Sequence, residues 1–464
     1  MNEPVTTKPA GAKRLFGTNG VRGRTGIEMT PDLVLRIGEA FGSMRKGTIA
    51  VGRDTRTSGE TLLHAVKAGL LATGCDVVDC GILPTPALQF IVRGKYAGGA
   101  MITASHNPPE YNGIKIIEAD GTEMGDEETL ELERRIAENS CSLQPWQSMG
   151  KESMTPELRD QYVDAIVSRF PENPGSGMLV VVDPGSGPAC ATTPEILRRI
   201  GCRVLTVNGA MDGTFPGRMP EPSEEGLRAL SDLVVSSGAA FGVAHDGDAD
   251  RAVFVDEKGQ FVEENCELAL VARQVCRTEK GLIVTPVSSS FMIETVAARE
   301  GCNVIYTRVG SINVARTMHA LIREGKSVIF GGEGNGGLIF PSHQFCRDGG
   351  MTAAMMVAIL AAEQRPLSAL VADLPERVMI KEKIPITSPE ELLDRLSDAF
   401  SGETIDRLDG LKITRGSSWV LVRASGTEPL VRVIAEADTQ KQAQEFYQEI
   451  SGEIRRFLHP STCG

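Results

Sequence analysis

Four short clusters carry residue types that could do chemistry. In the first, Ser105 lies within Thr103-Ala104-Ser105-His106-Asn107-Pro108-Pro109-Glu110-Tyr111-Asn112-Gly113-Ile114-Lys115, directly after the apolar residues 99–102. A hydroxyl at a strand end, on a turn that two prolines keep from pairing further, is placed to be a nucleophile or a phosphate carrier. A surface turn capped by Ser and Asn fits the same residues. The second cluster is His245-Asp246-Gly247-Asp248-Ala249-Asp250-Arg251. Clustered carboxylates repel one another unless a cation neutralises them, so a hard divalent metal is their natural partner. Strand alternation would align all three on one face, and Gly247 equally permits a loop. Arg251 suggests a second task, such as holding a phosphate. An EF-hand is excluded, because Arg251 stands where that loop needs Gly and strand-like residues flank it. The haloacid-dehalogenase phosphatase signature fails as well. A solvated acidic turn remains the plain alternative.

The third cluster, Gly331-Gly332-Glu333-Gly334-Asn335-Gly336-Gly337, follows a strand-like run. One carboxylate and one amide on a permissive backbone suit a polyol, and a flexible turn suits the residues as well. The fourth is Arg423-Ala424-Ser425-Gly426-Thr427-Glu428-Pro429, with Arg432 close behind. Backbone N–H groups, two hydroxyls and guanidinium groups make a phosphate cradle, or a hairpin turn with incidental hydroxyls. Two further loops are basic: residues 17–23, with Arg22, and residues 52–59, with Arg53 and Asp54. The latter follows a strand, where α/β sheets place ligands, although salt bridging explains Arg53 and Asp54 nearly as well.

These clusters must hang on a repeated scaffold. Gly-Cys-x-Val occurs at Gly74-Cys75-Asp76-Val77, Gly201-Cys202-Arg203-Val204 and Gly301-Cys302-Asn303-Val304. Each copy ends a helical pattern that itself follows a loop and a β-rich run. Gly accepts the left-handed position that stops the helix, and Val resumes the sheet. Three copies spaced by a domain's length predict three similar α/β domains in tandem. After Leu374-Pro375 the repeat is lost. Strand patterns at 418–422 and 430–437 and a polar helix over 439–457 predict a smaller α+β domain.

The chain has 464 residues, room for about three or four domains. Its net charge of −13 argues against non-specific binding to nucleic acid or to an anionic membrane, while leaving room for a local basic pocket. Residues 1–13 lack the apolar stretch of a signal peptide. Residues 351–362 are apolar but too short for a bilayer, and read as a buried helix. Ten cysteines without a Cys-x-x-Cys pair fit small buried hydrophobes in a reducing cytoplasm.

In this order, the motifs resemble the α-D-phosphohexomutase family over essentially the whole chain. The serine segment, Asp-Gly-Asp-Ala-Asp-Arg and Arg-Ala-Ser-Gly-Thr-Glu-Pro carry the resemblance. Leu15-Phe16-Gly17-Thr18 with Val21-Arg22-Gly23 looks like the phosphoglucosamine mutase branch and its archaeal-type relatives, which include phosphoglucomutase/phosphomannomutases. The resemblance implies three α/β domains with mixed sheets and a smaller α+β domain around a central cleft. Expected bounds are 1–155, 156–256, 257–372 and 373–464. Ser105 would be the phosphoserine carrier, primed by a hexose bisphosphate. Asp246, Asp248 and Asp250 would hold Mg²⁺, with the Ser105 phosphate completing the site. Glu333 and Asn335 would orient the sugar. Arg423, Ser425, Gly426 and Thr427, with Arg432, would grip the phosphate that is not reacting. Lys115 and His106 are the candidates to take the hydroxyl proton, with Lys115 the expected one and Arg22 and Arg251 its electrostatic partners. His106 is expected to be structural, because adjacent side chains usually point apart.

The expected activity is interconversion of hexose or hexosamine 6-phosphate and 1-phosphate in the cytoplasm. Glucosamine phosphate is the first choice of substrate, and glucose or mannose phosphate the second. A sugar-phosphate phosphatase, and then a non-catalytic sugar-phosphate sensor, are more distant alternatives. Two positions depart from the family pattern. Many relatives end the sugar loop in His where this chain has Gly337, and many carry Asp where Ser311 follows Gly310.

Overall fold

The computed structural model describes residues 14–17, 20–425 and 429–458. The three Gly-Cys copies close three helices in the same way. Gly74, Gly201 and Gly301 have φ of 87°, 101° and 71°, the left-handed region that a residue with Cβ avoids. The next N–H reaches back to the helix, from Cys75 to Leu70 O, Cys202 to Leu197 O and Cys302 to Ala297 O. This is the bond pattern of a Schellman stop. All three cysteines are buried. The recurring pair thus combines a chain reversal with a small apolar side chain beneath it.

Each copy joins two neighbouring parallel strands. These are Thr48–Arg53 with Asp76–Ile82, Leu179–Asp183 with Arg203–Thr206, and Leu282–Pro286 with Asn303–Thr307. On the other side of each first strand lies a third parallel strand: Gly98–Ile102, Phe241–His245 or Val328–Glu333. That strand then turns back into an antiparallel neighbour, Tyr111–Glu118, Ala252–Asp256 or Gly337–Ile339. The sheets are therefore mixed, as expected, and three of the four chemical clusters occupy the same turn of the same topology.

Additional strands complete the sheets. Val21–Arg24 and Glu152–Met154 edge the six-stranded first sheet, and Phe261–Val262 extends the second past residue 256. The fourth sheet has five strands, all antiparallel, in the order Val378–Pro385, Leu430–Ala437, Ser418–Ala424, Leu411–Arg415, Thr404–Asp406. The helix Gln440–Leu458 supplies Phe446, Ile450 and Ile454 to its core.

The apolar stretch at 351–362 lies within the helix Gly349–Glu363, whose start is capped by the Asp348 side chain. Its buried residues belong to a core shared by the first three domains, while the fourth domain keeps a separate core. The fourth domain meets the third through Trp419 and Leu421, which pack with Val287. Among the described residues no helix is long and apolar enough to cross a membrane.

Candidate active site

Ser105 is 1% exposed and holds φ at 50°, in the left-handed region. Such a conformation costs about 1–3 kcal/mol for a residue other than glycine and persists only where the surroundings impose it. Here Arg56 imposes it. Its Nη2 donates to Ser105 O at 2.8 Å and Asn107 O at 2.6 Å, and its Nη1 donates to Pro108 O at 2.6 Å and Tyr111 O at 2.8 Å. Nε donates to Asp54 Oδ2 at 3.1 Å, so all five N–H donors are engaged. Asp54 also accepts from Thr103 Oγ1, which in turn accepts the Ser105 N–H. The basic loop at 52–59 therefore shapes the serine turn, and the salt bridge there joins Asp54 to Arg56.

The Ser105 hydroxyl donates to Asp246 Oδ2 at 2.8 Å, across 141 residues of sequence. His106 Nδ1 lies 3.3 Å from the Ser105 Oγ, which corrects the expectation that His106 points away. That expectation assumed an extended backbone, and the left-handed φ of Ser105 breaks the alternation. Burial lowers the His106 imidazole to about 4, so it is neutral at pH 7.

Asp246, Asp248 and Asp250 are all buried and bring one carboxylate oxygen each within 4.8 Å of the others. They lie on a loop, with Ala249 at φ 58°, and not along a strand face. Asp248 Oδ2 accepts from Thr85 Oγ1 at 2.6 Å and Lys115 Nζ at 2.8 Å. Asp250 Oδ2 accepts from Lys115 Nζ at 3.2 Å and Arg347 Nη2 at 2.5 Å. Their second oxygens, Asp248 Oδ1 and Asp250 Oδ1, are buried without a donor among the described residues. Burial, together with the neighbouring Asp250, pushes the Asp246 carboxyl up to about 7. Orphaned oxygens beside crowded carboxylates are what a hard cation relieves, so these residues could hold one.

Arg251 grips Glu221 with both terminal nitrogens, at 3.0 and 3.1 Å, and its Nε lies 3.3 Å from Asp246 Oδ2. Arg22 donates to Asn107 Oδ1 at 3.1 Å. Lys115 is 1% exposed and also lies 3.8 Å from Glu123. Burial opposes its charge, but Asp248, Asp250 and Glu123 overcome that and raise its pKa above the usual lysine value. Lys115 thus sits within hydrogen-bond reach of two carboxylates of the acidic loop.

Glu333 and Asn335 face each other on the glycine loop, 3.5 Å apart. Glu333 Oε1 accepts the Gly310 N–H at 3.1 Å, and Asn335 Oδ1 accepts the Gly337 N–H at 3.1 Å. A narrow cleft beside them is lined by Gln89, Glu123, Asp250, Ser311 and Arg347, from the first three domains. In the fourth domain, Arg423 and Arg432 are direct cross-strand partners. Like charges in that position destabilise a sheet unless an anion lies between them. Arg423 Nε also donates to Asp409 Oδ2 at 2.7 Å, and Asp409 accepts the Val309 N–H at 2.8 Å. Ser425 N–H closes the turn onto Leu430 O. Gly426 and Thr427 lie outside the described residues.

Sequence reasoning missed Arg56, Glu123, Glu221, Arg347 and Asp409. Only Arg56 lay in a loop already singled out. The others belong to no motif, and their contacts depend on how the loops pack rather than on any pattern along the chain.

Known proteins match in the same arrangement. Residues 13–142, 160–259 and 264–378 match phosphoglucomutase/phosphomannomutase alpha/beta/alpha domains I, II and III, and residues 377–453 match the C-terminal domain of that family. A phosphoglucomutase/phosphomannomutase of Thermococcus kodakarensis is 42% identical over 448 residues, covering 94% of this chain and 97% of its own. A phosphoglucosamine/phosphogalactosamine mutase of Sulfurisphaera tokodaii is 36% identical over 452 residues, covering 94% and 98%. The crystal structure of a phosphoglucomutase/phosphomannomutase family protein from Burkholderia thailandensis superposes with a TM-score of 0.85 at 28% identity, covering 98% of each chain. A serine buried against an acidic loop, four domains in the family's order and full-length relatives agree: the chain belongs to the phosphoglucomutase/phosphomannomutase family and is a phosphohexomutase.

Proposed function

We propose that this protein interconverts the 6-phosphate and 1-phosphate of a hexosamine or hexose through a phosphoserine at Ser105 and a bisphosphate intermediate. Glucosamine phosphate is the first substrate, and glucose or mannose phosphate the alternative. The observation that carries the reading is the Ser105 hydroxyl bonded to Asp246, beside two buried and unpartnered carboxylate oxygens. Mg²⁺ held by Asp246, Asp248, Asp250 and the Ser105 phosphate would neutralise charge on the transferring oxygens. The protein's own residues supply the rest. Arg22 and Arg251 are fixed positive charges around the phosphoryl group, and Lys115 is the acceptor for the sugar hydroxyl proton. Glu333 and Asn335 orient the sugar hydroxyls. Arg423, Ser425, Gly426 and Thr427, with Arg432, hold the distant phosphate, which must be gripped equally well in both orientations of the bisphosphate.

In the forward step the P–O bond to Ser105 breaks as a P–O bond to the sugar hydroxyl forms, and the hydroxyl gives its proton to Lys115, whose own proton a cation on Asp248 and Asp250 would release by offsetting the charges that hold it. The Ser105 oxygen then regains a proton, and Asp246 and His106 are the groups within reach of it. We place the protein in the cytoplasm, since its cysteines among the described residues are all free.

The test is Ser105→Ala, assayed on glucosamine, glucose and mannose 1-phosphates with hexose 1,6-bisphosphate as primer. Loss of interconversion with sugar-phosphate binding retained is expected. Full activity in that variant would remove the phosphoserine, and release of inorganic phosphate at the interconversion rate would make the protein a phosphatase instead.

A further inference from the structure

Arg347 stands between two of the loops described above. Its buried guanidinium donates from Nη2 to Asp250 Oδ2 at 2.5 Å, and its Nη1 lies 3.4 Å from Glu333 Oε2. Asp250 belongs to the acidic loop of the second domain, and Glu333 to the glycine loop of the third. The neighbouring strand makes room for this side chain. A Cβ on Gly337 would lie 2.2 Å from Arg347 Cδ, closer than real Cβ atoms approach, and in tight contact with Asn335 Oδ1 at 3.0 Å and Arg347 Cγ at 3.1 Å. Residue 337 and the Arg347 side chain therefore compete for one volume, and Gly concedes it.

We propose that Arg347 is a positioning residue that ties the metal-holding loop to the sugar-holding loop, and that Gly337 is small in order to admit it. The proposal rests on the mutase reading above. Arg347 and Lys115 both engage Oδ2 of Asp250, which leaves Oδ1, buried without a donor among the described residues, to face a cation. The same guanidinium shares one oxygen of Glu333 with Asn335 Nδ2 while the Gly310 N–H takes the other, so donors on both oxygens fix that carboxylate. A planar fork can hold two carboxylates at once, whereas the single ammonium of lysine cannot span them. Guanidinium stays charged at any working pH, so its part is geometric and involves no proton exchange.

The test compares Arg347→Ala, Arg347→Lys, Gly337→Ala and the Arg347→Ala/Gly337→Ala double variant. Calorimetry measures binding of Mg²⁺ alone. It also measures binding of whichever of glucosamine 6-phosphate and glucose 6-phosphate the unmodified protein holds more tightly, and kcat and KM are measured alongside. Loss of a residue that orients a metal ligand costs about 10–100-fold, and that loss is expected in both affinities for Arg347→Ala and Arg347→Lys. Gly337→Ala displaces the guanidinium without deleting a charge, so it must show the same paired loss. The double variant must be no worse than Arg347→Ala alone, because the two changes remove one interaction. If Arg347→Ala fails to fold, Gly337→Ala against Arg347→Lys gives the same comparison. Unchanged binding in Gly337→Ala, a loss confined to one ligand, or losses that multiply in the double variant would each overturn the proposal. Failure of the mutase reading would look different: the unmodified protein would not interconvert sugar phosphates, whatever the coupling between Arg347 and Gly337.

Discussion

Replacing Arg56 with Lys should cripple Ser105 without touching it. The guanidinium serves five partners: four carbonyls of the serine turn and the Asp54 carboxylate. A lysine ammonium has three donors on one atom, so at least two partners lose theirs. Each buried group left unpaired costs about 1–3 kcal/mol. Several of these contacts are only partly buried, which favours the lower half of the sum, about 2–4 kcal/mol. For a domain of this size that lowers the melting temperature by roughly 5–15 °C. The larger effect is local. Ser105 is held at φ 50°, and without its clamp the turn relaxes toward negative φ and moves the hydroxyl from Asp246. A displacement of about 1 Å costs on the order of 100-fold in rate. The assay is phosphate incorporation at Ser105 from glucose 1,6-bisphosphate, followed by intact mass at a temperature where the variant is folded. An Arg56→Lys protein that is phosphorylated at the unmodified rate would refute the clamp.

Three further outcomes are expected. Chelation should stop turnover and Mg²⁺ restore it; Mg²⁺ at about 100 times its Kd should also stabilise the fold by about 2.7 kcal/mol, and Asp248→Asn/Asp250→Asn should lose that gain in a thermal melt. Asp409→Asn should raise KM for the sugar phosphate by about 10–100-fold, since the charge-assisted bond that aims Arg423 is worth about 1.5–3 kcal/mol, with kcat little changed in steady-state kinetics. Lys412, packed against Phe291, Tyr306 and Trp419, is pulled by burial from 10.5 to about 8. Between pH 8 and 10.5 the unfolded chain therefore binds more protons than the folded one, so Lys412's contribution to stability should rise with pH across that window. The difference in melting temperature between the unmodified protein and Lys412→Met checks this, and no pH dependence of that difference would count against it.

The repeat could be read from the chain because its signals are local. Glycine at a left-handed position and a small apolar residue after it are demanded by backbone sterics within one turn of helix. The buried helix at Gly349–Glu363 was visible for a similar reason, as a run of apolar residues too short for a membrane. The side-chain direction of His106 was misread because alternation holds only for extended backbone, and Ser105 is not extended. The partners of Lys115 could not be read from the chain, because Asp248 and Asp250 lie more than a hundred residues away.

The sequence by itself determined which chemistries were available: a serine at a strand end, three clustered aspartates, a glycine loop and an arginine loop, on a thrice-repeated α/β scaffold. Tertiary structure alone decided which atoms meet. It set the Ser105 hydroxyl on Asp246, stranded one oxygen each of Asp248 and Asp250, and slid Arg347 into the space that Gly337 leaves. The physical reason is range. Backbone preferences act over a few residues and leave a pattern in the chain, whereas desolvation and ion pairing act between groups that only the packed domains bring within a few ångströms.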